Sequence, residues 1–104
     1  MALDIKESDW KRFRHFHPIA LERFCERTLK DIAPIVSQEG PNWHERYLAV
    51  HKVLVARDRE LANAFNDLRR STALTQLRLI CSLGLLTEEE IEQFSPEAQG
   101  WARG

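Results

Sequence analysis

Glycine and proline are scarce, four of each in 104 residues, and cysteine occurs twice. So few glycines leave little material for a phosphate-cradling loop. Neither Gly-x-Gly-x-x-Gly nor Gly-x-Ser-x-Gly occurs. Two cysteines, Cys25 and Cys81, are too few for a disulfide scaffold and favour a reducing, cytoplasmic setting. An excess of one charge is also missing: 15 Lys and Arg stand against 16 Asp and Glu. That balance excludes a globally basic nucleic-acid binder and a disordered acidic chain. Long apolar runs are absent too. The longest uncharged stretch near the C-terminus is Ile80–Thr87, far below the ~20 apolar residues that span a bilayer, so no membrane association is expected. The first ten residues carry Asp4, Lys6, Glu7 and Asp9 and no apolar h-region, so no signal peptide is expected.

What remains is ordinary globular composition, 43% hydrophobic and 30% charged. The length fits a single domain over residues 1–104. Sparse punctuation predicts helices. A first helix is expected from Ser8 or Asp9, carrying Trp10, Phe13 and Phe16, with a break or kink at His17-Pro18. A second is expected from about Pro18, with Leu21, Phe24, Cys25, Leu29 and Ile32 at helical spacing until Pro34 bends or ends it. Ser37–Asn42 reads as a loop, and Asn42-x-x-Glu45 as the capping start of the next helix.

From Asn42 to about Arg70 there is neither Gly nor Pro. Trp43, Tyr47, Val50, Leu54, Leu61, Phe65 and Leu68 fall within a stripe ~60° wide at ~100° per residue. The pattern restarts with Leu74, Leu77, Ile80, Cys81 and Leu83 and stops at Gly84, with Leu85 placed for a C-cap contact. Thr87-x-x-Glu90 is a capping box, and Ser95-Pro96 an N-cap and first turn. Strand signals are weak. The expected class is all-α: a compact helical bundle of four to six helices with one long central helix, about residues 42–70.

No constellation points to catalysis, a cofactor or a metal. Of the four histidines, His44 and His51 are ~10.5 Å apart along a helix, and His15 and His17 lie on opposite sides of one. Both cysteines fall on apolar faces, where a thiol packs and stays inert. The carboxylates Glu88, Glu89, Glu90 and Glu92 sit at the start of a short helix, where they complement its dipole. The chain is therefore read as no enzyme.

Two weaker patterns remain. Trp10–His17 interleaves aromatics with Lys11, Arg12, Arg14 and His15, residues suited to nucleic-acid phosphate. The simpler reading is an amphipathic helix with its rings inward, since three formal charges hold a duplex weakly. Trp43, Tyr47, His51 and Asp58 would line an aromatic small-molecule pocket, although core packing accounts for them as well.

The long helix decides the reading. At ~43 Å it overruns a domain whose radius of gyration should be ~13 Å. Its far end would expose Phe65 and Leu68, and exposed apolar patches mark interfaces. A symmetric homodimer is the simplest cover. Asp58, close to the stripe, either pairs with a basic group of another helix or chain, or reaches solvent from the stripe's edge. The expectation is a small cytoplasmic protein acting through protein–protein contact, a homodimeric adaptor or regulatory subunit with Phe65, Leu68 and Asp58 at the interface. The alternatives are a nucleic-acid-binding regulator and a small-molecule sensor.

Overall fold

A computed structural model describes residues 4–104; residues 1–3, at the edge of the expected domain, lie outside it. The described chain is all-α. Five helices follow in order: α1 (Glu7–Ser37), α2 (Trp43–Phe65), α3 (Arg70–Ser82), α4 (Glu88–Ile91) and α5 (Pro96–Arg103). No strand occurs among the described residues.

The longest helix is α1, at 31 residues, and it runs through Pro18 and Pro34 without the expected break. Proline inside a helix frees the carbonyl four residues earlier and crowds it. Both prolines and the residues concerned, Arg14 and Lys30, are exposed, so water is at hand for the freed oxygens. Inward packing accompanies the helix across Pro18. His17 lies edge-on between Phe13 and Phe65, and its Nε2 is 3.2 Å from the Phe65 carbonyl.

Helix α2 ends at Phe65, five residues short of the expected end. No glycine marks this stop. Asp67 takes the left-handed conformation instead, at φ 59°, which Asp tolerates better than most residues. Asn66 caps the helix, its backbone N–H donating to the Ala62 carbonyl. Its own carbonyl accepts from the buried Gln76 side chain of α3.

The local punctuation elsewhere matches expectation. At the end of α3, Gly84 sits at φ 70°, Leu85 N–H donates to Ile80 O and Gly84 N–H to Cys81 O. This is a Schellman ending, closed by the buried Leu85. Thr87 and Glu90 form a complete capping box. Ser95 accepts from Ala98 N–H ahead of Pro96. At Asn42 only the forward half forms, Asn42 Oδ1 accepting from Glu45 N–H at 2.8 Å.

The core lies at one end of the molecule. Phe13, Phe16, Ala20 and Phe24 of α1 meet Ala64 and Phe65 of α2, Leu74, Leu77 and Ile80 of α3, and Ile91, Phe94 and Ala98 beyond. Polar ties lock this base. Asp9, 3% exposed, accepts from Ser95 N–H at 2.8 Å and from its hydroxyl at 2.5 Å. Arg23 donates to Leu85 O and both Glu90 oxygens, and Arg27 donates to the carbonyls of Leu83 and Gly84. Two arginines of α1 thus cover the carbonyl end of α3, where positive charge is favourable.

The rest of α1 and α2 leaves the base as a helical hairpin. The molecule measures 52 × 27 × 21 Å, and its radius of gyration is 16.6 Å. That exceeds the ~13 Å of a compact chain of this length. Two helices outrun the core, one of them α1, and lengthen the bundle.

Candidate interaction surface

The hairpin arm, residues 25–61, buries two side chains, Thr28 and Ile32. It also carries seven of the eight exposed large hydrophobics of the described chain: Leu29, Val36, Trp43, Tyr47, Leu48, Leu54 and Val55. The eighth, Leu68, lies in the α2–α3 connection. A surface of this kind is apolar beyond the scattered residues normal on a monomer.

The periodicity of α2 explains how this arises. Its apolar residues occupy more than one face. Val50, Val53, Leu61 and Ala64 turn toward α1 and are buried or half-buried. Tyr47, Leu48, Leu54 and Val55 fan over the next ~120° and stay exposed. Leu54 and Leu61 join Phe24, Cys25, Thr28, Leu29 and Asp58 around a groove of about 200 Å³ between the two helices. Nearer the tip, Val36 of α1 faces Trp43, Tyr47 and Val50 across a second depression of about 540 Å³. Arg46 lies over the Trp43 ring, 4.5 Å from its centre.

The residues singled out from the sequence separate into different settings. Phe65, expected between two chains, is 5% exposed inside the chain's own core, against Phe24 and His17. A stripe continuous from Asn42 to Arg70 would carry Phe65 out at a protruding C-terminal end. In fact the C-terminal end of α2 enters the base and its N-terminal part protrudes. Leu68, 43% exposed, follows the end of α2. Asp58 is exposed and joins no ion pair among the described residues.

Trp43, Tyr47, His51 and Asp58 lie on one side of α2, all exposed. Trp43 and Tyr47 share the tip depression, Asp58 lines the other groove, and His51 lines neither. The four do not enclose one cavity. Lys11, Arg12 and His15 share a shallow depression on α1 with Ser8. Arg14 points elsewhere, over the Trp10 ring, and Arg12 donates to Gln93. Phe13 and Phe16 are buried and Trp10 half-buried, so these rings pack inward.

Among the described residues no group of three His, Cys, Asp or Glu side chains is placed to share a metal ion, and no helix is long and apolar enough to cross a membrane. Burial pushes the Cys81 thiol up to about 11, with the Arg103 charge opposing. Cys25, half-buried, faces the arm groove. Sequence reasoning missed Leu29, Val36 and Leu48 as exposed residues. The available signal was that α2 has apolar residues on more faces than a single neighbour can cover. No protein family, curated protein or solved structure matches this chain.

Proposed function

We propose that the protein works by protein–protein contact as an adaptor or regulatory subunit, with the α1–α2 arm as its contact element and no reaction of its own. One observation carries this reading: the arm exposes seven large apolar side chains while burying one, Ile32. Each such side chain gives roughly 1.5–3 kcal/mol when fully removed from water. An arm left bare forgoes most of that. A cytoplasmic setting fits the two free thiols.

A photo-crosslinking amino acid at position 47, in place of Tyr47, tests the reading in the producing cell. The same residue at Arg12 serves as control. Discrete protein adducts, the chain's own dimer included, are expected at 47 and not at 12. Protein adducts at neither position, or nucleic-acid adducts at 12 alone, would contradict it and favour the basic stretch of α1.

A further inference from the structure

We infer that the free face of the arm is covered by the same face of a second copy, through antiparallel pairing of the two α2 helices about a two-fold axis at Leu54 and Val55. This rests on the contact reading above and names its partner.

The argument begins with register. In an antiparallel pair centred between 54 and 55, each residue meets the one whose number completes 109. Leu54 then meets Val55, and Tyr47 meets the small Ala62, while Leu48 lies on the flank of the pair. Trp43 falls opposite Asn66, at the end of the helix, so the apolar match covers the middle of α2. The same register sets His51 of each copy opposite Asp58 of the other.

Asp58 stands beside an apolar groove with no ion-pair partner among the described residues. A carboxylate there is costly to cover unless a donor faces it. An imidazole N–H supplies that donor, twice per dimer by symmetry. Sliding the pair by one turn toward the α2 C-terminus sets Asp58 against Val55 and Leu54 against Arg59, which strands charge on apolar surface.

Area agrees. From Trp43 to Ala62 the helix is ~30 Å long, and the two helices of the arm are ~20 Å wide. Such a face offers ~600 Å² per copy, or ~1,200 Å² in all, the lower edge of stable interfaces. Antiparallel pairing also sends the two bases to opposite ends, and the arms form a four-helix bundle.

The test is sedimentation equilibrium of the purified full chain at tens of micromolar, with far-ultraviolet circular dichroism as a check on folding. Wild type is expected at twice the chain mass. Leu54→Glu is expected as a helical monomer, because Leu54 is already 40% exposed within its own chain. Asp58→His sets imidazole against imidazole and should weaken dimerisation about tenfold. Exchanging the pair, His51→Asp with Asp58→His, should restore it. In a Cys25→Ala, Cys81→Ala background, Val55→Cys is expected to give an oxidised dimer and His51→Cys little.

A monomeric wild type overturns the inference. So does an Asp58→His defect that the exchange leaves unrepaired, or oxidative coupling at 51 in preference to 55. A monomeric chain whose position 47 still crosslinks a different protein sinks this inference and leaves the contact reading standing. No adduct at 47 and no dimer sinks both.

Discussion

Glu90 closes the capping box of α4 while its two oxygens accept from Arg23 of α1 at 2.7 and 3.0 Å. The Arg23 hydrogen bond, with smaller help from the Thr87 backbone and the Arg23 charge, holds this carboxyl down at about 2, below its ordinary 4.5. A carboxyl depressed on folding stabilises the fold above its unfolded value. That contribution fades as pH falls from about 4.5 toward 2. Glu90→Gln should cost roughly 1.5–3 kcal/mol at pH 7, the worth of hydrogen bonds to a charged group. The cost should shrink toward pH 2. Urea unfolding of both proteins at pH 7 and pH 3 measures this, and an equal difference at the two pH values would speak against the pairing. Arginine and glutamate 67 residues apart gave no hint of this pair in the sequence, since local spacing carries no information on which helix an arginine crosses. Buried rings were easier to read. Phe13 is 1% exposed, so Phe13→Ala should cost roughly 3–5 kcal/mol. Replacing the exposed Lys11, Arg12 and Arg14 with Gln should cost within about 0.5 kcal/mol each. Thermal unfolding of the two variants separates ring from charge.

At the scale of elements, legibility followed locality. The stops at Gly84 and the starts at Asn42, Thr87 and Ser95 depend on residues within one turn, so the sequence displays them. The end of α2 depends on Asp67 entering a left-handed conformation without glycine, and the passage of α1 through Pro18 is accompanied by packing against Phe65. Neither is visible in a window of neighbouring residues. Two substitutions probe these points. Gly84→Ala places a Cβ at φ 70°, where nothing crowds it within 4 Å, so the cost is the backbone's own, about 1–2 kcal/mol. Pro18→Ala returns a missing N–H to α1 on its exposed side and should raise stability, by up to about 3 kcal/mol. Denaturant midpoints report both; a neutral Gly84→Ala or a destabilised Pro18→Ala would contradict the accounts given for the two sites.

At the scale of the whole molecule, the base and the arm differ in what holds them. The base has a continuous core from Phe13 to Ala102, whereas the arm has Thr28, Ile32 and helical hydrogen bonds exposed to water. The apolar stripe of α2 was plain in the sequence. Which part of it would be covered was not, because Leu54 and Phe65 occupy the same ~20° sector of the helix and only tertiary packing separates them. Helical segments with few buried contacts open readily, so an uncovered arm should be the least stable part of the protein. Amide hydrogen exchange across a dilution series tests that directly. Amides from His51 to Leu61 should be well protected in concentrated protein and lose protection on dilution, while those of α3 from Leu74 to Ile80 stay unchanged. Arm amides as protected as those of α3 at every concentration would show that the hairpin stands without a partner, and would contradict the account.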